Sequence, residues 1–190
     1  MGRAALRPGE WLGIWGGGGV GMAALMLARA MGARVAVADV VAEKLDNARA
    51  LGAEVTIDAR SADPAEAMRM ATGGGVHVAI EALGIAETAE NALRSLRKMG
   101  RMVQVGMPAG DHTRFSLPWD RVYSGQLAIF GTRGMPAHRY PSLLAFLEAT
   151  RLDLSPMIAR RVALSDTSAE LALFDGAAPP GVAVITDFTR

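Results

Sequence analysis

The sequence predicts a doubly wound α/β fold, a parallel sheet covered on both faces by helices, with a C-terminal α/β extension. Three observations carry this. Short, near-continuous apolar runs alternate with helical stretches of about ten residues, the arrangement that right-handed βαβ crossovers produce. Apolar residues make up 51% of the 190-residue chain and charged residues 21%, a composition able to bury a core. A glycine turn from Gly16 to Gly21 joins the first apolar run to the first helical one.

The strands expected in order are Trp11 to Trp15, Arg34 to Ala38, Glu54 to Ile57, Val76 to Ile80, Arg101 to Val105 and Leu127 to Phe130. Between them, Val20 to Met31 is apolar nearly all round, and Ala42 to Leu51 places Leu45, Ala48 and Leu51 on one face. Asp63 opens the next helix, with Pro64 at its first position and Glu66 in its first turn. Glu87 to Lys98 repeats Ala89, Ala92, Leu93 and Leu96. Gly32, Gly52 and Gly100 each follow a helix, where a left-handed cap is wanted. Asp111 to Ser124 reads as an irregular connection. After it come a helix (Pro141 to Thr150), a strand (Ile158 to Leu164), a helix (Ser168 to Phe174) and, past the Pro179-Pro180-Gly181 stop, a last strand (Val182 to Thr186). Residues 8–131 are expected to form the main domain and 132–190 the extension.

Composition excludes several classes of function. Without cysteine there is no disulfide, thiol nucleophile or cysteine-ligated metal. His77, His112 and His138 are too far apart for a local metal motif. A net charge of +1 with scattered arginines gives no pull toward nucleic acid. Trp11 to Ala28 carries no charge and imitates a membrane span or, with Ala28-Arg29-Ala30, a signal peptide. Its six glycines, each costing a helix roughly 1 kcal/mol, argue instead for strand, turn and helix. The expected location is cytoplasmic, without membrane or nucleic-acid partners.

The glycine turn carries chemistry. Gly16, Gly18 and Gly21 satisfy G-x-G-x-x-G between a strand and a helix, and the next strand ends in Asp39, eighteen residues on. This is the fingerprint of a Rossmann dinucleotide-binding fold. Gly16 permits the tight turn, Gly18 lets the backbone approach a pyrophosphate, and Gly21 lets helix and strand pack closely. Gly19 and Val20 open the helix whose N–H groups face the anion. Asp39 would accept ribose hydroxyls and repel a 2′-phosphate, favouring NAD over NADP. The alternative is a glycine-rich turn without a ligand.

These residues belong to a longer pattern. Trp15-GGGGVG-Met22, Gly32-Ala-Arg-Val, Asp39-Val-Val-Ala-Glu-Lys44 and Ala50-Leu-Gly-Ala53 are followed by Val78-Ala-Ile-Glu-Ala-Leu-Gly84, Gly100-Arg-Met-Val-Gln-Val-Gly106, Ile129-Phe-Gly131 and Gly181-Val-Ala-Val-Ile185. Together they resemble the coenzyme-binding portion of the zinc-dependent alcohol dehydrogenases of the medium-chain dehydrogenase class. The resemblance implies hydride transfer between an alcohol and a nicotinamide cofactor. It implies that Lys44 joins Asp39 at the adenosine ribose and that Leu83 lies near that ribose. It places Val105, Met107, Ala128 and Phe130 at the nicotinamide end. It also implies a catalytic zinc in a preceding domain, whose cysteine and histidine ligands have no counterpart here. An arginine that the family often carries near the last strand is replaced by about Ala183.

Residues 132–190 would then lack their usual partner, so the expectation is a homo-oligomer or a separate catalytic domain. Leu127 to Phe130 is the edge the resemblance suggests for a dimer. Two other readings stay open: a stand-alone, non-catalytic dinucleotide-binding or oligomerisation module, and a small reductase using Glu81, His112, Asp120, Tyr123 or His138. The second lacks a Tyr-x-x-x-Lys pair, because Leu127 and Leu144 follow Tyr123 and Tyr140.

Overall fold

A computed structural model describes residues 2–173 and 181–189. Six parallel strands, β1 (Trp11–Trp15), β2 (Arg34–Asp39), β3 (Val55–Asp58), β4 (Val76–Glu81), β5 (Leu96–Gln104) and β6 (Ala128–Gly131), form one sheet in the order β3-β2-β1-β4-β5-β6. That order reverses direction between β1 and β4, which opens a crevice beyond their C-terminal ends. Helices α1 (Gly19–Ala30), α2 (Ala42–Ala50), α3 (Pro64–Ala71) and α4 (Ala86–Ser95) make the crossovers.

The helix ends follow local chemistry. Asp63 Oδ1 accepts from the Glu66 amide at 3.0 Å and caps α3 with Pro64 in its first turn. Gly32 and Gly52 close α1 and α2 in the left-handed region, at φ +79° and +98°. There the Ala33 amide reaches back to the Ala28 carbonyl and the Ala53 amide to the Ala48 carbonyl.

Two apolar layers sandwich the sheet. On one face, Leu12, Ile14, Val35, Val37, Val78 and Ile80 meet Met22, Leu25 and Ala28 of α1 and Leu45 and Ala48 of α2. On the other, Trp11, Trp15, Ala36, Ala38, Val76 and Ala79 meet Ala65 and Met68 of α3 and Ala89, Ala92 and Leu93 of α4. Ala4 and Leu6, ahead of the expected domain start, join the first layer.

Three details depart from the sequence reading. Helix α4 stops at Ser95 rather than Lys98, because Leu96 turns extended and pairs with Val76. The Arg97 guanidinium fixes this by donating to the Gly75 carbonyl at 2.9 Å. The left-handed residue of the following turn is Met99 (φ 59°), not Gly100. A Cβ on Gly100 would lie 2.8 Å from the Arg97 carbonyl oxygen, so close approach is what requires glycine there. The connection before β6 also contains a helix, α5 (Trp119–Gly125), ended by left-handed Gln126.

Beyond β6 come α6 (Tyr140–Thr150), β7 (Ile158–Ala163), α7 (Thr167–Ala172) and β8 (Val182–Asp187). Strands β7 and β8 pair in parallel as a separate two-stranded sheet. The expected Pro179-Pro180 stop and Phe174 lie outside the described residues. No helix among the described residues is long and apolar enough to cross a membrane.

Candidate dinucleotide site

The crevice between β1 and β4 is floored by the glycine turn. Gly16 leaves β1 at φ +107°, and a Cβ there would lie 2.8 Å from Leu83 Cγ. Gly21 meets the turn from above: its Cβ would stand 2.0 Å from the Gly16 carbonyl oxygen, a backbone atom that cannot yield. At Gly18, by contrast, an added Cβ meets nothing within 4 Å. This residue is the N-cap of α1, no side chain caps the helix, and its first turn carries no acidic residue. The turn therefore presents a positive helix end to open space, a fit for a pyrophosphate.

Asp39 ends β2 beside this turn, 5% exposed. Its Oδ2 accepts from the Gly17 amide at 2.7 Å and its Oδ1 from the Val41 amide at 2.9 Å. A carboxylate has about four lone-pair sites, so acceptor capacity remains for hydroxyl donors. Lys44, half-buried on α2, passes close by, its Cβ 3.2 Å from where a Gly17 Cβ would stand. Leu83 is exposed at the exit of β4 and Met107 past the exit of β5, and Val105 is half-buried against the first apolar layer. Phe130 pairs with Val103 near the C-terminal end of β6.

Ala128 is not gathered with them. It pairs with Arg101 at the start of β6, roughly 10 Å of strand back from that edge. Gly131 and Thr132 occupy the edge instead, and with Val20 and Val105 they line an open cleft of about 1170 Å³. Leu143 and Phe146 of α6 form its far wall, with Arg133 and Arg139 among the charged residues around it.

The central organiser is Glu81, a candidate acid or base from the sequence. It is fully buried at the end of β4. Its carboxylate accepts from the Leu83 and Gly84 amides at 2.9 Å, from Thr88 Oγ1 at 2.6 Å and from the Gln104 side-chain amide. Glu81 thus ties the exits of β4 and β5 to the start of α4 and offers no face to a substrate. Gly84 and Gly106 complete the junction, since a Cβ on Gly106 would lie 2.1 Å from the Gly84 nitrogen. The sequence signal for both is a glycine shortly after a strand, Gly84 after β4 and Gly106 after β5. The other proposed acid-base groups, His112, Asp120, Tyr123 and His138, are exposed, and only His138 lies at the cleft.

The described residues offer zinc no ligand set. The chain has no cysteine, and among the described residues no group of three His, Asp or Glu could hold a metal.

Comparison with known proteins agrees with this geometry. An alcohol dehydrogenase of Rhizobium meliloti (strain 1021) is 42% identical over 105 residues, covering 55% of this chain and 31% of that protein. One from Geobacillus stearothermophilus is 39% identical over 131 residues, covering 67% and 38%. The crystal structure of an NAD-dependent alcohol dehydrogenase superposes with a TM-score of 0.86 at 26% identity, covering 98% of this chain and 54% of that one. The chain thus spans about a third to a half of the length of these relatives. Residues 19–149 match the model of the zinc-binding dehydrogenases, and the chain belongs to that family.

Proposed function

We propose that this chain is the NAD-binding portion of an alcohol dehydrogenase. The observation that carries the reading is the pairing of an uncapped helix end over open space at Gly18 with a buried, N–H-anchored carboxylate at Asp39. The backbone of Gly16, Gly18, Gly19, Val20 and Gly21 holds the pyrophosphate, and Asp39 accepts from the adenosine ribose with Lys44 beside it. Leu83 covers the ribose from the β4 side. Val105, Met107 and Phe130 bound the nicotinamide end, where the cleft walled by Leu143 and Phe146 begins. When bound, the cofactor supplies a hydride acceptor or donor, and the protein's part is to fix its orientation. NAD rather than NADP follows from the Asp39 charge, which a 2′-phosphate would meet at close range.

With no zinc ligand set in these residues, we assign the groups that handle the alcohol oxygen and its proton to polypeptide outside them. A separate catalytic domain or a second copy of the chain would cover the exposed apolar residues after β6. The competing reading is a non-catalytic dinucleotide-binding module, and it draws on the dispersed, exposed positions of His112, Asp120 and Tyr123. Calorimetric titration with NAD and then NADP, with zinc measured on the same sample, tests the proposal. Saturable NAD binding, weaker NADP binding and no stoichiometric zinc are expected. Absence of NAD binding by a folded sample overturns it. Dehydrogenase activity on adding a zinc-bearing partner domain separates the enzyme portion from the bare module.

A further inference from the structure

A second polar cluster lies on the outer helix layer and shares no residue with the crevice. Arg69 of α3, Arg94 of α4 and Arg121 of α5 line a small cavity of about 80 Å³ together with Ala65 and Glu66. Their side chains meet because three helix segments converge there. Arg69 Nη1 donates to the Leu96 carbonyl at 2.7 Å, and Arg121 Nη2 donates to the Arg94 and Leu96 carbonyls at 3.0 Å. These bonds draw the guanidinium groups together over the C-terminal end of α4, where exposed carbonyls favour cations.

The carboxylates present do not fill this demand. Asp63 is engaged with Arg94 from outside the cavity lining, and Glu66 reaches Arg69 Nε only at 3.4 Å while more than half exposed. Arg121 Nε is shut off from water without a hydrogen-bond partner. Burial and the charges of Arg69 and Arg94 hold the Arg121 guanidinium below its ordinary pKa, with Glu66 and Asp120 only partly offsetting them. The cavity lining thus sets three guanidinium groups against one carboxylate, in a space far smaller than the few hundred Å³ of a typical ligand pocket.

We propose that this cavity binds one phosphate group between Arg69, Arg94 and Arg121. A guanidinium offers five N–H donors in a planar fork, and three of them from different helices match the several oxygens and charge of a phosphate. Binding would also pin α3, α4 and α5 to one another, so the bound state is the more stable one.

The test is a titration of the whole chain with inorganic phosphate at fixed ionic strength, following the arginine Nε–H resonances and the melting temperature. Saturable shifts at Arg69, Arg94 and Arg121 are expected, with affinity at least tenfold weaker in Arg121→Gln. That variant also removes a donor to two carbonyls, so Glu66→Gln is the complement. It deletes the one carboxylate on the wall, leaves all three guanidinium groups, and should tighten binding several-fold. Lack of saturation, or an unchanged affinity in Glu66→Gln, overturns the proposal. Phosphate binding that survives Arg121→Gln unaltered belongs to the glycine turn and overturns it too. Equal shifts with acetate at the same ionic strength would replace the phosphate assignment with a carboxylate one.

Discussion

The six-stranded sheet and the segment after it use similar apolar residues and reach opposite outcomes. Every fully buried apolar side chain among the described residues lies at or before Val103. In β1 each residue is buried, because α1 and α4 cover the two faces of the sheet. Strand β7 alternates half-buried and exposed positions, and α6 and α7 bury nothing completely. Leu144 and Leu171 stay about 60% exposed although they sit in helices as apolar as those of the first region. An apolar pattern therefore selects an element, but burial needs a second layer on each face. Where that layer is missing, the same residues form a surface.

The comparison is broken most directly by truncating one leucine in each region. Leu93→Ala removes a fully buried side chain from between α4 and the sheet and should cost about 4 kcal/mol. Leu144→Ala should change stability by less than about 0.5 kcal/mol. Urea unfolding of the two variants decides the matter. A cost for Leu144→Ala near that of Leu93→Ala would show that a partner or second copy buries α6 in solution.

Most of the first region was legible in the sequence. The elements from β1 to β4 fall within a residue or two of their expected bounds, because glycine caps, Pro64 and the apolar runs all point the same way there. Legibility failed where a tertiary contact overrode the local pattern. Leu96 reads as helix by periodicity, yet pairing with Val76 turns it into strand. Helix α5 was hidden by Pro118 and by its short length. At the site, Gly16 to Gly21 and Asp39 were readable because their roles are local. The role of Glu81 was not, since all four of its donors sit on other elements or turns, and no periodicity announces a buried carboxylate that serves a junction.

Within the first region, the glycine turn should be next in sensitivity. Alanine normally stabilises a helix position by about 1 kcal/mol over glycine. At Gly21 the added methyl would stand 2.0 Å from a backbone oxygen, so Gly21→Ala should instead destabilise by about 3 kcal/mol and abolish cofactor binding. A neutral or stabilising effect in urea unfolding would show that α1 can move off β1. Glu81→Gln should follow at about 2 kcal/mol, because one accepting oxygen becomes a donor facing donors. Its cofactor affinity should fall with its unfolding midpoint, since the Leu83–Gly84 turn abuts Gly16. Full affinity in the variant would disconnect the junction from the crevice.

The smallest effect separates the two regions by pH. At the N-terminal edge of the large sheet, the Trp11 amide donates to His77 Nδ1 at 2.9 Å, and Arg97 Nη1 lies 3.1 Å from Nε2. Burial, and then the positive charges of Arg97 and Arg101, hold the imidazole below its ordinary pKa of 6.5, with Glu10 opposing them. The unfolded chain therefore binds the proton more readily than the folded one. The stability that neutral His77 contributes is present above pH 6.5 and is lost as pH falls through the lower folded-state value. Among the described residues, β7 and β8 carry no histidine. Side-chain and backbone hydrogen bonds from Thr189 lower Asp187, and the Arg160 guanidinium lowers Glu170, so their contributions persist until the pH drops below the ordinary carboxylate values. Hydrogen exchange between pH 7 and 5, corrected for intrinsic rates, should show protection falling in β1 and β4 while β7 and β8 hold theirs. In His77→Asn, whose side-chain oxygen can accept from the Trp11 amide without titrating, that loss should disappear. Equal loss in both sheets would mean that they unfold as one unit, and the contrast between the two regions would then be one of packing alone.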